Sequence, residues 1–224
     1  SIGDVKVYQY NDDSLMLHND LYQINMAESY WNDGIHERIA VFDLYFRKMP
    51  FNSGYAVFNG LKRVVNFIEN FGFTNEDITY LKSIGYEEDF LNYLKDLKFT
   101  GNIKSMQEGE ICFGNEPLLR VEAPLIQAQL IETILLNIIN FQTLIATKAS
   151  RIRQIATHDT LMEFGTRRAQ EIDAALWGAR AAFIGGFDST SNVRAGKLFN
   201  IPVSGTHAHA LVQDRKSTRL NSSH

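Results

Sequence analysis

The sequence predicts an α/β protein in two parts, an α+β N-terminal domain followed by the first part of an incomplete β/α-barrel domain. Three observations predict this. Helical spacings of apolar residues alternate with short β-branched runs as far as Val121. A stretch from Leu125 to about Ala156 then runs without glycine or proline. Beyond it, strand and helix signals alternate with tight links, the pattern of parallel β/α units. The expected boundaries are 1–124 for the first domain, 125–158 for a long connecting helix and 159–213 for the start of the barrel. Three β/α units are too few to close a barrel. Residues 214–224 are polar and without periodicity, and read as an adaptor-like, non-native tail.

Each element has its own signal. Leu21 to Asn32 reads as a helix, capped by Asn19 or Asp20 and ended by Gly34. Ile39 to Phe46 is β-branched and aromatic and reads as a buried strand. Leu61, Val64, Val65, Ile68 and Phe71 place a helix over 61–70. Thr74 and Asp77 have the spacing of a capping box for a short helix ending near Gly85. An amphipathic helix follows over 87–97, and 101–121 reads as two or three antiparallel strands. In the second part, strands are expected over 160–164, 182–185 and 201–204, with helices over 168–180 and 189–199.

Composition narrows the function classes. The net charge of -4 gives no reason to expect nucleic acid or an anionic membrane as partner. Cys112 is the single cysteine, which excludes an internal disulfide framework and fits a reducing cytoplasm. The first residues are polar, with Asp4, Lys6, Gln9 and Asn11. Over 125–156, Gln127, Gln129, Glu132, Asn137, Asn140 and Gln142 interrupt the apolar run too often for a membrane span, so a buried central helix is expected.

In β/α barrels, chemistry sits on loops at the C-terminal strand ends. Three polar, glycine-containing segments are expected at such ends: Glu163-Phe164-Gly165-Thr166-Arg167-Arg168, Gly185-Gly186-Phe187-Asp188-Ser189-Thr190-Ser191, and Ser204-Gly205-Thr206-His207-Ala208-His209. Arg167 offers a planar fork for a carboxylate or phosphate, or else a surface ion pair. Phe164 suits stacking on an aromatic ligand, or else a place in the core. Ser189 is expected to cap the following helix, whose first N–H groups could cradle a phosphate. His207 and His209 share a strand face, which suits a metal pair; no cysteine lies near them, and a phosphate-accepting imidazole is the alternative.

These segments, together with Asp20-Leu21-Tyr22-Gln23, Gly205-Thr206-x-Ala208-His209 and Asn140-Phe141-Gln142-Thr143-Leu144-Ile145-Ala146-Thr147-Lys148-Ala149, resemble the ordered motifs of the nicotinate phosphoribosyltransferase family. The resemblance spans 14–213 and implies the type II phosphoribosyltransferase barrel. It implies formation of nicotinate mononucleotide and pyrophosphate from nicotinate and phosphoribosyl pyrophosphate, with ATP hydrolysis and Mg²⁺, in NAD salvage. By resemblance, His209 is the phosphorylated histidine and Thr206 and Phe164 belong to the nicotinate pocket. Arg167 and Asp188 are ligand-contacting positions. Tyr22 stacks on nicotinate from a partner subunit, so a homodimer with shared sites is expected. No role falls to His207 and no protein-built metal site is implied. The family's later glycine-rich loop for the ribose 5-phosphate and a further arginine for the nicotinate carboxylate have no counterpart here, so the fragment is expected to lack turnover alone. A nicotinamide or quinolinate enzyme, or a non-catalytic binding module, is the alternative. In the full-length protein, ATP labelled at its γ-phosphate is expected to leave an acid-labile phosphate on His209. Undiminished labelling of His209→Asn would remove that assignment.

Overall fold

A computed structural model describes residues 14–206, and the chain divides after Thr147 into two compact units. The division falls inside the long helix instead of at its flanks. The first unit carries α1 (Leu21–Asn32), β1 (Ile39–Leu44), β2 (Ala56–Val57), α2 (Leu61–Glu69), α3 (Asn75–Ser83), α4 (Glu88–Lys95), β3 (Asn102–Ser105), β4 (Ile111–Cys112), β5 (Leu119–Pro124) and most of α5 (Leu125–Ile155). The capping box at α3 is formed in both directions. Thr74 Oγ1 accepts from the Asp77 N–H at 3.1 Å, and Asp77 Oδ2 accepts from the Thr74 N–H at 2.8 Å. The strands make two antiparallel sheets, β1-β5-β3 and β2-β4.

The strand expected to be buried at 39–46 is shorter and largely exposed. β1 sits at a sheet edge with β5 as its neighbour, and Ile39, Val41 and Phe42 are 65%, 54% and 41% exposed. An apolar run reads as buried whichever face each residue takes; an edge strand covers less of it. Asp43 and Arg120 lie opposite each other in the ladder and close a two-pronged ion pair at 2.7 and 2.8 Å.

The second unit takes the end of α5, then β6 (Met162–Glu163), a 3-10 turn at Thr166–Arg168, α6 (Glu171–Ile184), β7 (Ser189–Thr190) and α7 (Val193–Phe199). β6 and β7 run parallel, and Thr190 bridges Val203, again in parallel. This is the expected strand–helix–strand–helix–strand order with right-spaced links. The expected strand at 182–185 is instead the last turn of α6 and its glycine stop, and the strand falls seven residues later. Ala181, Ala182 and Ile184 suit a buried helix as well as a strand. Leu176 and Ala179 of α6 pack against Ala195 of α7, with Trp177 and Phe199 beside them. Gly196 permits the close approach of α7 to the last strand: a Cβ there would lie 2.2 Å from Val203 Cγ2.

α5 is the centre of the first unit's core, burying Ile126, Leu130, Ile131, Ile134, Ile138 and Ile139 against Met16, Phe58, Phe90 and Leu118. It is long and apolar enough to span a membrane, yet more than half of its most apolar stretch is buried inside the protein. Its polar residues answer polar groups elsewhere. Gln127 Oε1 accepts from the Thr100 N–H at 2.8 Å, and Gln129 pairs with Gln23. Thr143 Oγ1 accepts from the Asn59 N–H at 3.1 Å and donates to the Asn59 carbonyl at 3.1 Å. Thr147 Oγ1 accepts from the Val57 N–H at 2.9 Å. Thr143→Val keeps shape and helix propensity but orphans a buried N–H, so it is expected to cost about 1–3 kcal/mol. Thr143→Ser, which keeps the hydroxyl, is expected to cost less. Urea unfolding of the two variants checks the difference; equal stability would remove the docking role of the hydroxyl.

Candidate active site

Parallel strands deliver their exits to one face, and the second unit has three. β6 ends at Glu163 and releases Phe164, Gly165 and the turn carrying Arg167 and Arg168. β7 ends at Thr190 and releases Ser191 and Asn192. The third crossing, at Val203, releases Ser204, Gly205 and Thr206. Backbone bonds knit the exits together: Ser191 N–H to Glu163 O at 2.9 Å, and Ser204 N–H to Thr190 O at 3.0 Å. Phe164 is 42% exposed at this face, and Arg167, Arg168 and Thr206 are exposed as well. An aromatic ring and an arginine fork on the first exit, with a hydroxyl on the third, suit a flat anionic ring.

The local turns explain this arrangement. Gly165 brings the chain back toward β6, where its N–H donates to Glu163 Oε1 at 2.5 Å. A Cβ at Gly165 would lie 2.8 Å from that oxygen, so a side chain there would push the Glu163 carboxylate aside. The step from the arginine turn into α6 passes through Glu171 at φ 74, a left-handed conformation that a non-glycine residue adopts at a cost. The cap of α7 is Asn192, whose Oδ1 accepts from the Ala195 N–H at 2.9 Å. The expected cap, Ser189, lies inside β7 instead. The helix starts four residues later than expected, so the N–H groups around Ser189 belong to a strand and form no phosphate cradle.

Asp188 is placed elsewhere than the sequence suggested. It precedes β7, at the opposite end from Thr190, because the strand comes after the Gly185–Gly186 turn and not before it. Its Oδ2 accepts from the Leu161 N–H at 2.8 Å and from Arg153 Nη2 at 2.5 Å. Arg153, near the end of α5, spends the rest of its fork on carbonyls, with Nε on Gly186 and Nη1 on Ala156 and Asp159, all at 2.8 Å. Gly186, at φ 119, leaves room for this: a Cβ would lie 3.1 Å from Arg153 Cγ. Asp188 therefore belongs to a latch at the strand starts, and the exit face is built without it. Tyr22 lies in the first unit, near the start of α1. It is 53% exposed, and its hydroxyl accepts from Gln23 Nε2 at 2.9 Å. Partial burial, with the charges of Glu132 and Asp20, pushes its phenol pKa up. His207 and His209 lie outside the described residues.

Two features were missed by reading the sequence, the Arg153 latch and the Glu163 carboxylate that closes on Gly165. Arg153 lies in no motif, and Glu163, though it opens the first strand-end motif, reads there as one more polar residue. The cleft between β1 and α5 in the first unit, about 400 Å³, is mostly apolar and contains none of the motif side chains. Among the described residues no three His, Cys, Asp or Glu side chains converge as a metal site. Cys112 is buried, and burial pushes its thiol up to about 11, so it is no nucleophile.

Residues 17–140 match the family model for the nicotinate phosphoribosyltransferase (NAPRTase) N-terminal domain, and residues 160–223 match the model for the NAPRTase family. The chain belongs to the nicotinate phosphoribosyltransferase family. It is 66% identical over 207 residues to the nicotinate phosphoribosyltransferase of Bacillus subtilis (strain 168), covering 92% of this chain and 42% of that protein. It is 48% identical over 205 residues to nicotinate phosphoribosyltransferase 2 of Arabidopsis thaliana, covering 89% and 37%. The crystal structure of human nicotinic acid phosphoribosyltransferase superposes with a TM-score of 0.81 at 39% identity, over 88% of this chain and 40% of that one. The nicotinate-nucleotide pyrophosphorylase of Pyrococcus furiosus, at 23% identity and a TM-score of 0.75, shares the fold over 94% of this chain and 46% of that one. The chain thus spans about 40% of the length of these curated relatives.

The latch has a pH signature. The Leu161 N–H and the Arg153 guanidinium hold the Asp188 carboxyl below its ordinary range. A depressed native pKa means the unfolded chain binds the proton more readily. The stabilisation is therefore complete above about pH 4, the ordinary aspartate value, and fades as pH falls through the native one. Asp188→Asn is expected to be less stable than the parent at pH 7, by a margin that shrinks as pH falls below about 4. A margin independent of pH would show that the ionised carboxylate is not what stabilises the latch.

Proposed function

We propose that the whole protein forms nicotinate mononucleotide and pyrophosphate from nicotinate and phosphoribosyl pyrophosphate, coupled to ATP hydrolysis. The observation that carries this is the presentation of Phe164 and Arg167 on one turn at the exit face of a chain that belongs to this family. Arg167 takes the nicotinate carboxylate in its fork, Phe164 lies against the ring, and Thr206 contributes a hydroxyl to the same pocket. Orientation of this kind matters because the reaction needs no general base. The pyridine nitrogen uses its own lone pair to form the bond to ribose C1. The C1–O bond breaks and its electron pair leaves with pyrophosphate, while the ring becomes a pyridinium. What remains for the protein is to hold two substrates in line and to offset the developing charge.

Mg²⁺ would arrive on phosphoribosyl pyrophosphate, offsetting the charge of the departing pyrophosphate. His209 receives the ATP phosphoryl group, which shifts the enzyme toward its tight-binding form provided the two forms differ in substrate affinity. Tyr22 completes the pocket from the partner subunit of a homodimer. A cytoplasmic setting is part of the same proposal, supported by the sparse cysteine content, a single buried Cys112.

The experiment uses the full-length protein with nicotinate, phosphoribosyl pyrophosphate, ATP and Mg²⁺, reading mononucleotide formation. Arg167→Ala is expected to lower kcat/KM for nicotinate by about a hundred-fold, or about 2.7 kcal/mol of transition-state stabilisation. Preference for quinolinate or nicotinamide over nicotinate in the parent protein would replace the proposal with a sister activity. Absence of any phosphoribosyl transfer would leave the binding-module reading.

A further inference from the structure

β6 and β7 are two residues long each, and so short a ladder gives few bonds with which to fix the exits. The Glu163 side chain adds what the ladder lacks. Its Oε1 accepts from the Gly165 N–H at 2.5 Å, and its Oε2 accepts from the Thr190 hydroxyl at 2.7 Å. The Thr190 oxygen in turn accepts from the Asn192 N–H at 3.0 Å. One carboxylate therefore ties the turn that carries Phe164 and Arg167 to the exit loop of the neighbouring strand. An ionised carboxylate is an acceptor on both oxygens, and both donors here aim at it. Glutamine has one acceptor oxygen and would turn an NH₂ toward one of the two donors. Thr190 is fully buried, so its hydroxyl has no water to replace the bond.

We infer that Glu163 is a positioning residue for the nicotinate pocket, setting the orientation of Arg167 and Phe164 through the Gly165 turn and the buried Thr190 hydroxyl. Glu163 lies half-buried behind the turn and acts through it, without touching the ring itself. The inference rests on the reaction proposed above, in which Arg167 distinguishes the acid from the amide. If the fork is aimed by this strap, loosening the strap blurs that distinction. A strap that only supported the fold would change the affinity for acid and amide alike.

The test is equilibrium binding of nicotinate and of nicotinamide to the full-length protein, together with the KM for each substrate. Glu163→Gln and Thr190→Val are expected to weaken nicotinate binding about ten-fold, to narrow the acid-to-amide ratio, and to leave the KM for phosphoribosyl pyrophosphate unchanged. Thr190→Ser keeps the hydroxyl and is expected to restore most of the loss. Thr190→Val changes neither shape nor charge, so it carries the test if Glu163→Gln does not fold. Equal loss of acid and amide binding, or wild-type binding in both variants while Arg167→Ala loses the distinction, would overturn the inference and leave the proposed reaction standing. Full acid preference in Arg167→Ala would sink the pocket assignment and this inference with it.

Discussion

Burying a long helix leaves every polar group on it in need of a partner, because an orphaned donor or acceptor in the interior costs about 1–3 kcal/mol. The first unit is arranged around that constraint. The hydroxyls of Thr143 and Thr147 receive the backbone of the end of β2 and its connection to α2, Gln127 receives Thr100 ahead of β3, and Gln129 donates to Gln23 of α1. Three different segments are thereby located by four polar residues of α5, while its isoleucines and leucines provide the burial. Apolar contacts favour the interior without choosing a position within it; the hydrogen bonds choose the position. Gly60 shows how close the fit is, since a Cβ there would lie 3.2 Å from the Ile139 Cα.

The second unit applies the same rule with less backbone to work with. Its strands are two residues long, so side chains take over much of the work of joining them. At the strand starts the Arg153 fork gathers three carbonyls and the Asp188 carboxylate. At the exits the Glu163 carboxylate gathers an N–H and a hydroxyl. The separation matches the general division of β/α architectures, in which one end of the strands is kept for stability and the other for chemistry.

Much of this was legible in the residues. The Thr74–Asp77 box, the span of α1 and the long α5 follow from capping chemistry and spacing, and all three took shape where expected. The parallel order of the second unit was legible too, but not its phase. Ala181-Ala182-Phe183-Ile184 satisfies a buried strand and a buried helix equally, and choosing the strand moved Asp188 to the wrong end of it and Ser189 into a helix. The exposure of Ile39 and Val41 was hidden for another reason: alternation tells which residues share a face, while only the arrangement of neighbours tells whether that face is covered. Arg153 and Glu163 escaped because their side-chain partners, Asp188 and Thr190, are distant in sequence and their other partners are backbone groups.

The bond between Glu163 and Thr190 also bears on how the chain settles into alignment while folding. Ser189, Thr190 and Ser191 are three hydroxyl residues in a row, so composition alone offers Glu163 three similar mates. Pleating removes two of them, since a slip of one residue turns the neighbouring serine to the opposite side of the sheet. A slip of two residues brings either Asp188 or Asn192 to the right side. Asp188 would set two carboxylates against each other, a repelling pair. Asn192 would have to abandon the N–H of Ala195 and leave α7 uncapped. The pairing seen here, Glu163 opposite Thr190, is thus the one alignment in which charge, side and cap agree, and a ladder too short to enforce its own alignment has it enforced by the spelling of five consecutive residues.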